Sequence, residues 1–114
     1  MPRRELLHVT AESIEDARLI RAVGEIDMST VGALRRDLDA ARKEVGTALL
    51  DLSGVTFIDS NGLHLLLKAS QDSAVDGWGF VLVRPSAAVE RLIELSGTAD
   101  LLPLLDPGAE LVHG

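Results

Sequence analysis

The chain has 114 residues, 46% of them apolar, a formal net charge of −7 and a pI near 4.8. That length and composition predict one domain over residues 1–114 with a core of its own, ending in a short tail over 105–114. With no cysteine there is no disulfide, thiolate metal site or cysteine nucleophile, and 11 basic residues scattered among 18 acidic ones argue against nucleic-acid binding.

At the start, "MPRRELLHVTAES" has basic residues but no apolar signal-peptide core after them. No later run approaches the roughly 18 apolar residues of a membrane span, so the expected location is the cytoplasm, away from any membrane. "LLHVTAES" and "ARLIRAVGEI" predict two strands, the second alternating Leu19, Arg21 and Val23 against Ile20 and Ala22. The "AESIED" stretch between them is expected to be a hairpin turn. Gly24 interrupts the second strand and predicts a bulge or a close backbone approach.

Asp27-Met28-Ser29-Thr30 supplies several N-cap residues. Val31, Leu34, Leu38, Ala41 and Val45 then fall on one helical face, and Gly46 is a natural stop. The charges Arg35, Arg36, Asp37, Asp39, Arg42, Lys43 and Glu44 predict a solvated face laced by i,i+4 pairs. "ALLDL" predicts a short buried strand, Ser53-Gly54 a turn, and "VTFI" a further extended piece. From Ser60, read as an N-cap, Leu63, Leu66, Leu67 and Ser70 take helical spacing, widened by Leu65, until "SAVDGWG". "FVLVR" predicts a strand. Ser86 then caps a helix that buries Val89, Leu92, Ile93 and Leu95 and closes at Ser96-Gly97. "LLPLL" is expected to form a last edge strand, where Pro103 is tolerated. The order β-β-α-β-α-β-α-(β) predicts an α/β domain: a four- to five-stranded mixed sheet with helices packed against it.

Catalytic chemistry finds little support. Ser60 is the one serine in a suggestive setting, but a hydrolase needs a base and an orienting acid within reach. His8 and His113 lie near the termini, and His64, one turn after Ser60, has no third partner in view. Neither G-x-S-x-G nor a glycine-rich phosphate loop occurs, and no His–carboxylate cluster has ligand spacing, so no cofactor and no metal are expected.

"VGEIDMST" at 23–30, "ALLDLSGVTFIDSNGLHLLL" at 48–67 and "FVLVRPSAAVERLIELSG" at 80–97 together resemble the STAS family. More narrowly, they are similar to its bacterial anti-sigma factor antagonists. The resemblance covers nearly the whole chain in order, and its specific part is Asp-Leu-Ser-Gly-Val-x-Phe-Ile-Asp-Ser-x-Gly-Leu. It implies a transcription regulator that switches partners, not an enzyme. The unphosphorylated form would bind an ATP-dependent anti-sigma factor that is also a serine kinase, freeing a sigma factor. Phosphorylation at Ser60 would end that binding, and a serine phosphatase would reverse it. The resemblance places Asp27 close to this serine. It makes Asp27, Asp59, Asn61, Gly62 and His64 the partner-binding neighbours, with Asn61 leaving Ser60 as the loop's sole hydroxyl acceptor. His64 stands where the family usually has a small residue, which implies a partner specificity of its own. With the short C-terminus, the family's last helix is expected to be cut to about one turn or to be disordered.

A helix N-terminus suits this chemistry. Its free backbone N–H groups and positive dipole end are expected to hold the phosphate without unfolding the domain. The added charge of roughly −1.5 to −2 then falls beside Asp59 and Asp27 and alters the docking surface. Two other readings are a STAS module never phosphorylated, such as a scaffold, ligand sensor or transport subunit, and an enzyme using Ser60 and His64. Pairing through "FVLVR" or the exposed N-terminal strand would support a homodimer.

Overall fold

The structure is a computed structural model and describes residues 6–103. Four strands and three helices follow in the order β1 (Leu7–Ile14), β2 (Ala17–Ile26), α1 (Val31–Glu44), β3 (Thr47–Ile58), α2 (Ser60–Asp76), β4 (Gly79–Val83) and α3 (Ala87–Ser96). A short 3-10 turn at Ala99–Leu101 comes last. The sheet order is β1-β2-β3-β4, with β1 antiparallel to β2 and the other neighbours parallel. The mixed α/β architecture is the expected one.

Register explains where the core lies. Ile20, Leu50 and Leu82 stand opposite one another across the three parallel strands and are fully buried. The helices cover this row with Leu34 and Leu38 of α1, Leu66 of α2, and Val89 and Ile93 of α3. Burying each such side chain stabilises the fold by about 1.5–3 kcal/mol. One residue along, the next row carries Arg21 opposite Asp51. Asp51 is only 2% exposed, accepts Arg21 Nε at 3.2 Å and takes the Ser53 N–H at 2.9 Å. Desolvation pushes its pKa up, but the hydrogen bonds from Ser53 and the Arg21 charge outweigh it and hold the carboxyl below its ordinary range.

Several local expectations change. "AESIED" is not all turn: β1 continues to Ile14, and only Glu15 and Asp16 connect the strands, with Glu15 at φ +52°. Two-residue hairpins match the strand twist through positive φ, which accounts for the tight connection. Ser53-Gly54 does not turn the chain either. β3 runs through it as one 12-residue strand. Its pairing with β2 slips between Arg21 and Val23 and again between Gly24 and Glu25, and each time β3 spends one extra residue. The strand absorbs as bulges what the sequence suggests as a turn. Gly24 meets the close-approach expectation. It sits at φ +119°, and an added Cβ would lie 2.1 Å from the Leu6 carbonyl oxygen, which the Glu25 N–H already reaches at 2.7 Å.

"LLPLL" forms no strand among the described residues. Its first residue closes the 3-10 turn, and the Pro103 carbonyl makes a single bond to the Leu82 N–H at 3.0 Å. Leu102 is buried in the core, while Leu104, the 105–114 tail and His113 lie outside the described residues. Arg42 does not form an i,i+4 pair along α1 but crosses to α2. It reaches Asp72 at 3.9 Å and Asp76, while its guanidinium stacks 5.8 Å from the Trp78 ring centre. Trp78 in turn packs tilted on Phe80 at 5.7 Å. Leu95, expected to be buried, is exposed. It lies about 200° around the helix from Ile93, so the two cannot share a face.

Candidate partner-binding and modification site

The site grows from the ends of two parallel strands. Ile26 closes β2 and Ile58 closes β3, and the two are paired. One residue on, the Asp59 N–H donates to the Ile26 carbonyl at 3.1 Å. The Asp27–Thr30 loop and the start of α2 therefore leave the sheet side by side, at the carboxyl edge where parallel α/β sheets gather their binding residues.

Asp27 organises the first loop. Its Oδ1 accepts the Ser29 hydroxyl at 2.7 Å, the Ser29 N–H at 2.9 Å and the Thr30 N–H at 3.1 Å. The Thr30 hydroxyl accepts the Asp27 N–H at 2.9 Å and donates to the Glu25 carbonyl at 2.8 Å. The Ser29 hydroxyl first, then the backbone N–H groups of Ser29 and Thr30, hold the Asp27 carboxyl below its ordinary pKa against a smaller opposing desolvation. Its second oxygen accepts no hydrogen bond among the described residues. A fixed anion with one free oxygen thus sits at the end of β2.

Asp59, not Ser60, is the N-cap of α2. It is extended (φ −108°, ψ −171°), and its carboxylate accepts the N–H groups of Asn61 at 2.8 Å and Gly62 at 3.3 Å. Ser60 is the first helical residue. Its hydroxyl is exposed and makes no hydrogen bond among the described residues. This also corrects the expectation of free donors for a phosphate. Two of the first-turn N–H groups are already occupied by Asp59, so a phosphate on Ser60 meets a carboxylate rather than an empty anion cradle.

The remaining residues divide by face. The Asn61 amide donates to Asp59 Oδ2 at 3.3 Å and braces the cap. Gly62 is buried and turns inward: a Cβ there would come within 2.6 Å of Ile58 and 2.8 Å of Ile26, so its hydrogen lets α2 close onto the strand ends. His64 lies exposed one turn further along the helix. Ser60 and His64 form no hydrogen bond with each other. Asp27, Asp59, Ser60, Asn61 and His64 are thus brought to one edge, whereas Gly62 supports that edge from beneath.

Two features were missed from the sequence. Met28 is 78% exposed in the Asp27 loop. A thioether among capping residues was the available signal. Phe57, beside Ile58, lines a groove of about 220 Å³ with Thr56, Ala88, Arg91, Leu92 and Leu95. Alternation in the sequence gives no signal for it, because Val55 and Ile58 are both buried and the bulge between them turns Phe57 outward.

Comparison with known proteins agrees with this geometry. A STAS-domain model matches residues 8–109. An anti-sigma F factor antagonist of Lysinibacillus sphaericus is 30% identical over 82% of this chain and 78% of its own. The crystal structure of an anti-sigma factor antagonist from Mycobacterium paratuberculosis superposes with a TM-score of 0.75 at 29% identity, covering 86% of this chain and 84% of that one. The Bacillus cell fate determinant SpoIIAA in its phosphorylated form shares the fold at a TM-score of 0.66 and 22% identity, over 87% and 92% of the two chains. With its strand order, its Asp-Ser start to α2 and a family match spanning most of its length, the chain belongs to the STAS-domain family.

Proposed function

We propose that this protein is an anti-sigma factor antagonist that works by partner switching, with Ser60 as the switch. The observation that carries the reading is the Ser60 hydroxyl: exposed, without a hydrogen bond among the described residues, and next to the anchored Asp59 cap at the carboxyl edge of the sheet that also carries the Asp27 loop. The named relatives are anti-sigma factor antagonists, and one neighbour of the same fold exists in a phosphorylated form. The partner is an anti-sigma factor that is also a serine kinase using ATP, and a serine phosphatase restores the unmodified form. The setting is bacterial and cytoplasmic, and no helix among the described residues is long and apolar enough to cross a membrane. The role is regulatory, not enzymatic.

The mechanism follows from charge. Phosphorylation adds roughly −1.5 to −2 charge at the first turn of α2. Asp59 holds the nearby N–H groups and Asp27 stands on the adjoining loop, so the new charge is not neutralised locally. It projects into the docking edge, where a partner shaped for a hydroxyl meets both repulsion and an unpaired anion to desolvate. Asp59 keeps capping the helix, so the fold survives and only the surface changes. Titration of the anti-sigma kinase with unmodified protein and with protein carrying phosphoserine at position 60 tests this. The expected result is a loss of affinity of about 100-fold or more, within the range of disrupted interfacial charge contacts. Equal affinities would overturn the switch.

A further inference from the structure

The outer edge of β1 has no described neighbour, and its geometry specifies one. The Glu25 N–H reaches the Leu6 carbonyl, which makes Leu6 and Glu25 a hydrogen-bonded pair in the antiparallel ladder. Such pairs alternate along an antiparallel ladder. His8, Thr10 and Glu12 therefore point their backbone groups toward β2, and Leu7, Val9, Ala11 and Ser13 point theirs outward. This edge is eight residues long and in unbroken register with β2. It carries no proline, lysine, arginine or bulge, the devices that usually keep strand edges from pairing. Thr10, Ala11, Glu12 and Ser13 are all exposed, so both faces of the strand are open around its middle.

We infer that β1 pairs antiparallel with β1 of a second copy, with Thr10 on the two-fold axis, joining the two sheets into one of eight strands. The outward groups fix the parity of the register, and side-chain chemistry selects this one. With Thr10 facing Thr10, Val9 meets Ala11, Leu7 meets Ser13, and His8 meets Glu12 on both sides of the axis. Moving the axis to Ala11 sets His8 against Ile14 and Thr10 against Glu12, and the complementary pair disappears. The His8–Glu12 pairs sit at non-hydrogen-bonded positions, where side chains approach most closely. Glu12 also lies 4.0 Å from Arg21 on the same face, so each half of the interface is a short row of complementary polar side chains. Seven paired residues a side make a small interface, and the dimer is weak and concentration-dependent. It leaves the Ser60 edge free, because β1 is two strands away from β3.

Since the chain has no cysteine, disulfide trapping of single-cysteine variants of the full protein reads the register directly. Non-hydrogen-bonded partners across an antiparallel pair lie about 4.5 Å apart at Cα, within disulfide reach. The Thr10→Cys variant is expected to form a disulfide dimer under mild oxidation at least about tenfold faster than Ser13→Cys. The two copies of residue 13 would be roughly 20 Å apart in this register. Adding Ala11→Pro, which removes an outward N–H and spares the β1–β2 ladder, is expected to slow the Thr10→Cys reaction to the Ser13→Cys rate. Equal rates for the two single variants would overturn the proposal. So would faster trapping through residue 11 or 12, which denotes another register, or a sedimentation profile that stays monomeric at the highest attainable concentration.

Discussion

The smallest decisive unit is the pair Asp59-Ser60. Both residue types cap helices, so the sequence leaves the helix start ambiguous by one residue. Tertiary pairing resolves it: β3 ends at Ile58 because the Asp59 N–H continues the ladder to Ile26, and the carboxylate of Asp59 is then the group in reach of the second and third helical N–H groups. That displacement frees the Ser60 hydroxyl for chemistry. Asp59→Ala is expected to cost about 1 kcal/mol of stability in urea unfolding, with Asp59→Asn close to wild type. Gly62→Ala drives a methyl into Ile26 and Ile58 and is expected to cost roughly 1–3 kcal/mol. Asp51 gives a test with pH. Its folded pKa lies below the ordinary aspartate value of 3.8, so its contribution is fully present above that pH and is lost as pH falls through the folded value. The side chain is buried while Arg21 is 42% exposed, which limits the effect of the pair. Asp51→Asn is expected to cost about 1–2 kcal/mol at pH 7. The difference from wild type should shrink as urea titrations move below pH 3.8, whereas a gap that widens in acid would contradict the assignment.

At the scale of elements, the helices were legible because apolar spacing and caps point the same way. The three helical faces are found around Val31–Ala41, Leu63–Leu66 and Val89–Ile93, but in α2 Ala69 is buried where Leu67 and Ser70 are only half-buried, and in α3 Leu95 faces outward. Strand continuity was less legible. Ser53-Gly54 has turn residues, yet bulges spend the extra length within β3, because breaking the ladder there would strand buried backbone groups. Long-range partners were illegible for the same reason. Nothing near Arg42 in sequence announces Asp72, Asp76 or Trp78, which α2 brings to it. Gly24 tests the β1–β2 junction. Gly24→Ala combines a strained φ with a clash against the Leu6 carbonyl, and a loss of about 2 kcal/mol or more in thermal unfolding is expected. A variant as stable as wild type would show that Leu6 can move away.

Over the whole molecule, the division of labour is spatial. The helices cover one face of a four-stranded sheet, the carboxyl ends of the central strands β2 and β3 gather Asp27, Ser60 and their supports, and β1 forms one outer edge of the sheet. The core needs nothing from Ser60, so modification there is a surface event, and Ser60→Ala should unfold within about 0.5 kcal/mol of wild type. The family resemblance points to this serine, and under the proposed switch its exposed place at the start of α2 would let it take a phosphate without penalty to the fold. The measurement that tests this most directly is intact-mass spectrometry with peptide mapping of the protein isolated from its own cells, before and after phosphatase treatment. The account predicts one phosphatase-sensitive phosphoryl group, on Ser60, absent from Ser60→Ala. A protein that stays unmodified under every growth condition, or that carries its phosphate on another residue, would contradict it.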